Sequence, residues 1–369
     1  MNTRTITLAL IFMVLLIPVT EAKPIIIRFN GEIDQNIIKE YGIANYTQYK
    51  IINAISADIP ESVSKQLKKN PKIKYVEEDA KVQITSKPSQ PQQPPQQITW
   101  GVERVNATLA WNNSTGKNVK IAVLDTGISN SHPDLTVSGG INLVGKLKNN
   151  KWNDDNGHGT HVAGIIAARN NTIGVVGVAP DAQLYAVKVL DAYGSGYISD
   201  VIEGIDWAVQ NNMDVVSMSL GTATYSQALN DTSANAYNAG IILVAAAGNS
   251  GDGNLSTDDV LYPAKFDSVI AVSAIDYNNI TPVWSADGTE VELAAPGVDI
   301  YSAWLNGGYV NASGTSMAAP FVSGVAALIK SKNLSMTPQE IRHTLDYNAI
   351  DLGDPGRDRI YGFGLVQAG

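Results

Sequence analysis

The chain of 369 residues contains no cysteine, which excludes disulfides, thiolate nucleophiles and cysteine-ligated zinc or iron–sulfur sites. It has only four histidines, so any motif that holds two of them carries weight. Beyond the amino terminus no stretch is apolar and long enough to span a bilayer. Basic residues are outnumbered, 26 Lys and Arg against 35 Asp and Glu, and the net charge of -9 is the wrong sign for a phosphate-seeking surface, so nucleic acid is not an expected partner. What is present, 44% hydrophobic and 17% charged residues, is the composition of a chain that buries a core. At about 100–200 residues per domain, its length predicts two or three folded units.

Arg4 precedes an uncharged run over 6–19, and Thr20-Glu21-Ala22 follows. The run falls short of the ~18–20 residues that span a bilayer, and a small residue closes it. Residues 1–22 therefore read as a secretory signal peptide, with an uncleaved anchor as the alternative; a cleaved signal implies an extracellular protein without stable membrane association. Residues 23–85 read as a small α+β module with strands over 24–29, 49–57 and 73–77 and a helix over 61–69. This module holds 10 basic and 8 acidic residues, against 15 basic and 26 acidic over 86–369, and the opposite signs favour docking of one on the other. Residues 86–99 form a Pro/Gln-rich linker, including Lys87-Pro88-Ser89-Gln90-Pro91-Gln92-Gln93-Pro94-Pro95-Gln96-Gln97, which cannot pack a core and is either a processing site or a spacer.

From residue 100 to 369 the pattern is that of a three-layer, doubly wound α/β domain with a mostly parallel sheet. Near-continuous apolar runs over 119–124, 184–189, 215–220, 241–246 and 269–274 read as strands covered on both faces. Helical spacing over 201–210 and 227–238 supplies the crossovers. In such sheets reactive groups gather just beyond the carboxyl ends of the strands. Asp125 lies there, within Asp125-Thr126-Gly127, although an aspartate at a strand end is also a common turn former or cap.

Asn156-Gly157-His158-Gly159-Thr160-His161-Val162-Ala163-Gly164 opens a helix with an imidazole between two glycines. His158 suits proton transfer near neutral pH; alternatively His158 and His161 are metal ligands with Asp154 or Asp155, or ordinary residues of a helix start. Ser313-Gly314-Thr315-Ser316-Met317-Ala318-Ala319-Pro320 places Ser316 at the amino end of another helix, where free N–H groups favour negative charge. The reading sets Pro320 in the first turn, where proline is tolerated, and leaves a plain N-cap as the alternative role for Ser316. Asp125, His158 and Ser316 together supply orienter, base and nucleophile. Asn249, after the strand over 241–246, can donate its amide to an oxyanion.

These motifs, Val123-Leu124-Asp125-Thr126-Gly127, His158-Gly159-Thr160-His161, Ala246-Ala247-Gly248-Asn249 and Gly314-Thr315-Ser316-Met317-Ala318-Ala319-Pro320, resemble those of the subtilisin-like serine proteases, and the order Asp, His, Ser is that of subtilisin. The resemblance implies nucleophile Ser316, base His158, orienter Asp125 and oxyanion donor Asn249, with His161 a structural helix residue. Residues 23–85 resemble the family's ferredoxin-like propeptide, an intramolecular inhibitor, with Tyr75-Val76-Glu77-Glu78-Asp79 similar to its last strand. A self-processing zymogen is implied, cut between Thr85 and Gln97, with the linker longer than the resemblance leads one to expect.

By the same resemblance, Ser219-Leu220-Gly221 and Gly194-Ser195-Gly196 are the two walls between which an extended peptide substrate is held by backbone pairing, a mode that implies broad specificity. Gly221, Ala247, Gly248 and Leu261 bound the primary side-chain pocket, and Leu261 stands where wide-pocket relatives often have glycine, which implies a shallower pocket that favours mid-sized residues. The resemblance also implies a structural Ca2+ held by Asp134, Asn171, the carbonyls of Arg169, Ile173 and Val175, and Gln96 or Gln97; a plain surface turn is the alternative. The whole reads as a secreted serine endopeptidase acting on proteins and peptides as a monomer. A catalytically silent binding domain and a histidine-ligated metallohydrolase are the readings from other classes.

Overall fold

A computed structural model of the chain describes residues 22–84, 87–88, 94–146 and 148–369. Most of the segment read as a signal peptide, and part of the linker, lie outside the described residues. Ala22 is already the first residue of a strand, Ala22–Phe29, and pairs with Pro60.

The amino-terminal module is a four-stranded antiparallel sheet with two helices. Strand Ala22–Phe29 lies between Ala54–Pro60 and Ile73–Glu78, and Tyr46–Tyr49 forms the outer edge. Helices Gln35–Glu40 and Glu61–Leu67 cover one face and, through Ile37, Ile38 and Leu67, close a core with Ile25, Ile27 and Ile55. The single strand expected over 49–57 is two strands joined by a turn. Asn53 adopts a left-handed φ of 47° there, and Ile52 in the same turn is buried against the larger domain instead of continuing a strand.

The larger domain is built on seven strands whose six pairings are all parallel, in the order Val291–Pro296, Ile270–Ile275, Ile242–Ala246, Val215–Met218, Lys120–Asp125, Gln183–Lys188, Val137–Asn142. The central strands are buried at nearly every position, which accounts for their unbroken Val, Ile and Ala runs. Helices His158–Ala167 and Thr315–Lys332 pack on one face. Helices Ile198–Gln210 and Gln227–Asn238 pack on the other. The second face of the amino-terminal sheet joins that latter core through Ile26, Tyr49, Ile52 and Ala54, so the layers of the two domains are continuous. Among the described residues no helix is long and apolar enough to cross a membrane.

Chain order reverses around Lys120–Asp125: the next two strands lie on one side of it, and Val215–Met218 lies on the other. This is the topological switch point at which open α/β sheets present their sites. The run expected as one strand over 215–220 ends at Met218, and Leu220–Gly221 belongs to a different, three-stranded sheet.

Candidate active site

Asp125 closes the central strand, fully buried, and its Oδ1 lies 2.7 Å from His158 Nδ1. The same oxygen accepts the Thr126 N–H at 2.7 Å. Because the carboxylate can only accept, His158 must carry its proton on Nδ1, which leaves the lone pair on Nε2. That buried Nε2 has no hydrogen-bond partner among the described residues. Glycines flank His158 for steric reasons: Gly157 has a φ of 107°, and a β-carbon at Gly159 would stand 2.1 Å from the Gly127 carbonyl oxygen.

The loop after Asp125 is tied to the histidine helix by Asp154, a residue the sequence offered only as a possible metal ligand. Its Oδ1 accepts from Thr126 Oγ1 at 2.9 Å and from the N–H groups of Asn156 and Gly157 at 3.0 Å. Its Oδ2 accepts from the Thr160 N–H and hydroxyl. Lys188, buried beside it, donates to the Thr126 and Leu190 carbonyls and to Asp155. His161 Nε2 donates instead to the Ile300 and Val310 carbonyls at 3.0 and 3.2 Å, and complete burial pushes its pKa down to about 3. His158 and His161 therefore do not converge with Asp154 on a common metal position.

Ser316 is the second residue of a helix whose first sixteen residues, 315–330, are all buried. Its hydroxyl donates to the Ser219 carbonyl at 3.1 Å. Pro320 is not in the first turn: it is the sixth helical residue, and it deprives the Ser316 carbonyl of its helical donor. The Ser219 hydroxyl, 2.7 Å from that carbonyl, replaces the missing N–H. Asn249 is half-buried beside the start of this helix. Its Oδ1 accepts from the Thr315 N–H and from Thr315 Oγ1, each at 2.9 Å. An N–H can only donate, so the oxygen assignment is fixed and the Asn249 NH2 points away from Thr315.

The two walls are present, and the chain itself lies between them. Strand Lys81–Ile84 pairs antiparallel with Ser195–Tyr197, placing Val82 opposite Gly196 and Gln83 opposite Ser195. On its other side Ile84 pairs with Leu220 and Gln83 with Gly221. Gly194 lies in the preceding turn rather than in the wall strand. Leu261 lies against both glycines of the pocket: a β-carbon on Gly221 would meet its Cβ at 2.9 Å, and one on Gly248 its Cγ at 2.9 Å. The Leu261 N–H donates to the Ala247 carbonyl at 2.8 Å.

The amino-terminal module is fastened to the larger domain by two acidic residues at helix N-termini. Glu77 accepts from the Gln227 and Ala228 N–H groups at 2.9 and 3.1 Å and from the Ser226 hydroxyl. Asp79 accepts from the Ser199 N–H at 2.6 Å. Both carboxylates sit where unpaired N–H groups and the helix dipole favour negative charge. The net positive charge of the module contributes locally, through Lys74 and Arg28 at 3.7 and 4.0 Å from Asp231.

The expected calcium donors also gather. Asp134 is fully buried, with no salt-bridge partner among the described residues; it accepts from Asn171 Nδ2 at 2.6 Å, the Val175 N–H at 3.0 Å and the Tyr309 hydroxyl at 3.1 Å. Of the two glutamines, Gln96 is the one with side-chain hydrogen bonds to the loop among the described residues, its Oε1 accepting the Asn171 N–H at 2.7 Å. Among the described residues no hydrogen bond ends on the carbonyls of Arg169, Ile173 or Val175, whereas those of Thr172 and Gly174 accept from 96 and 97. One carboxylate, two side-chain amides and three carbonyls are the donor types that suit a hard divalent cation; here the Asn171 NH2 faces Asp134 and its Oδ1 accepts the Ile173 N–H at 2.7 Å, so a cation would require that amide to turn. Among the described residues no three His, Cys, Asp or Glu side chains cluster as a metal site, which accords with a loop that has a single carboxylate.

Comparison with known proteins gives this geometry its context. Residues 116–364 match the subtilase family, and residues 29–85 match the peptidase inhibitor I9 family. The thermostable alkaline protease of Halalkalibacterium halodurans is 44% identical over 336 residues, 91% of this chain and 87% of that protein. Subtilisin E of Bacillus subtilis is 45% identical over 334 residues, 90% of this chain and 84% of its own. M-protease of Shouchella clausii is 44% identical over 323 residues, 87% of this chain and 80% of its own. With the family matched over most of the chain and relatives this similar along nearly all of it, the protein belongs to the subtilase family, as a subtilisin-type serine endopeptidase preceded by an inhibitory propeptide domain.

Proposed function

We propose that the protein is a secreted endopeptidase of broad specificity that matures by cutting its own chain, with Ser316 as nucleophile. The observation that carries this reading is the strand Lys81–Ile84, which leads the chain between the two walls towards the serine whose hydroxyl touches the Ser219 carbonyl. Ile84, the last described residue of this strand, pairs with Leu220, the neighbour of Ser219. Residues 85 and 86 lie outside the described residues, and the reading directs the cut to the Thr85–Ser86 bond. A threonine before the cut suits a pocket narrowed by Leu261.

In the proposed mechanism His158 Nε2 takes the hydroxyl proton as Ser316 Oγ attacks the carbonyl carbon, and Asp125 holds the ring and stabilises its charged form. The oxyanion receives hydrogen bonds from the Asn249 NH2 and from the N–H groups at the start of the Ser316 helix. His158 returns the proton to the leaving amine, and water, deprotonated by the same nitrogen, releases the acyl group. Substrate is held by backbone pairing to Ser195-Gly196 and Leu220-Gly221, which reads little sequence beyond the pocket. Calcium, when bound by Asp134, Asn171, Gln96 and the carbonyls of Arg169, Ile173 and Val175, supplies cross-linking charge to this loop. Asp134 would then be ionised, although burial alone raises its pKa.

The test is the intact mass of the wild-type chain and of Ser316→Ala, each refolded with calcium. Loss of the amino-terminal module up to Thr85 in wild type, with the variant whole, is the expected result. If both stay whole while folded, self-processing is wrong and a silent binder or an enzyme activated by another protease replaces it.

A further inference from the structure

Three segments of one uncut chain are docked at once. Lys81–Ile84 fills the cleft. Lys87 and Pro88 pair with Ser313 and Ala312. The arm over 94–97 is zipped onto the loop over 170–175: the Gly174 N–H donates to the Pro94 carbonyl at 3.2 Å, the Gln96 N–H to the Thr172 carbonyl at 3.2 Å, and the Gln97 N–H to the Gly174 carbonyl at 2.8 Å. Gln96 adds two side-chain bonds, accepting from the Asn171 N–H and donating from Nε2 to Asn170 Oδ1 at 3.0 Å.

Chain length decides whether cleft and loop can be occupied together. The loop follows the carboxyl end of helix His158–Ala167, whose other end carries the active-site histidine, so about 15 Å of helix separates them. A junction of two or three residues reaches only ~10 Å and would hold the arm beside Ser316 until the bond was broken. Here eleven residues, 85–95, separate Ile84 from Gln96, a reach of up to ~40 Å when extended.

We infer that the arm carrying Gln96 docks on the loop in the precursor, so that the calcium site is complete before the chain is cut and its formation does not wait for maturation. This rests on the calcium reading above. The long Pro/Gln-rich junction is what uncouples the two events. Cleavage then releases the module without requiring the new amino-terminal region to find its place.

The test uses full-length Ser316→Ala, stripped with chelator and titrated with calcium chloride by calorimetry, beside processed wild type. Equal affinity within about threefold is expected, and Gln96→Ala should weaken both forms by about tenfold. In Ser316→Ala, deletion of residues 87–93 should weaken binding by about tenfold or more, because the arm is then tethered to the cleft. The amides of Gln96 and Gln97 should be protected from hydrogen exchange in the uncut chain even without calcium. An uncut chain that binds at least about tenfold more weakly than the processed enzyme, with these amides unprotected, overturns the inference. If neither form binds calcium, the calcium reading fails and the inference falls with it, a result distinct from the previous one because there the processed enzyme binds.

Discussion

Ser219 and Ser316 exchange hydrogen bonds: each hydroxyl donates to the other's carbonyl, at 2.7 Å from Ser219 and 3.1 Å from Ser316. Pro320 removes the N–H that would reach the Ser316 carbonyl from one turn further on, and the Ser219 hydroxyl supplies a donor in its place. Ser219→Ala removes this buried hydrogen bond, at an expected cost of about 0.5–1.5 kcal/mol. In the Ser316→Ala chain, which does not digest itself on the proposed mechanism, denaturant unfolding should register this loss. Adding Pro320→Ala should recover most of it, and simple additivity of the two changes would refute the argument.

Leu261 sets the proposed pocket depth. Wild type should prefer Leu or Ala before the scissile bond over Phe or Tyr, and Leu261→Gly should reverse the order, raising kcat/KM for the aromatic substrates by about tenfold. A wild-type preference of tenfold for Phe or Tyr would contradict the contact with Gly221 and Gly248 as the limit on size.

Glu77 holds three donors at the start of helix Gln227–Asn238. Glu77→Ala should weaken the grip of the module by about 1–2 kcal/mol, roughly a tenfold change. Active-site titration after processing should then find activity appearing several-fold sooner than in wild type. An unchanged interval would move the holding energy to the apolar face of Ile26, Tyr49 and Ile52.

His161 gives stability a pH dependence whose sign follows from its environment. Burial first, and then nearby His158, lower its pKa from 6.5 to about 3 in the fold. Between these values the unfolded chain binds a proton that the folded chain does not, so stability falls as pH drops below about 6.5 and continues to fall towards 3. The loss amounts to a few kcal/mol in all. His161→Gln, whose amide can still donate to the Ile300 and Val310 carbonyls, should flatten the slope of unfolding free energy between pH 7 and 4.

Much of this site could be read from residue order, and what escaped did so for identifiable reasons. The parallel strands follow from apolar runs that are buried by neighbours on both faces, helix Gln227–Asn238 follows from helical spacing with one buried face, and the side chains of interest stand near the ends of strands. The turn between Tyr49 and Ala54 escaped because Ile51 and Ile52 are apolar for the sake of the enzyme domain, a contact remote in sequence. Asp154 looked like a ligand because its five hydrogen bonds come from Thr126, Asn156, Gly157 and Thr160, groups brought together only by the fold. The helix-capping use of Glu77 and Asp79 left no local signal, since each caps a helix more than a hundred residues away. Pro320 was placed a turn too early because its structural partner is a serine in another element.

The small sheet at the cleft is made of a three-residue strand, a two-residue strand and a middle strand borrowed from the module. Without that middle strand, two facing rows of peptide groups stand one strand-width apart, each an open edge too short to seed aggregation. Such a gap can be filled only by chain that has been freed from its own pairing partners. A folded protein offers it such chain only during local opening, so susceptibility should track the free energy of that opening more closely than the residues cut. On the proposed function, the cleft in effect gauges how firmly a neighbouring protein is folded.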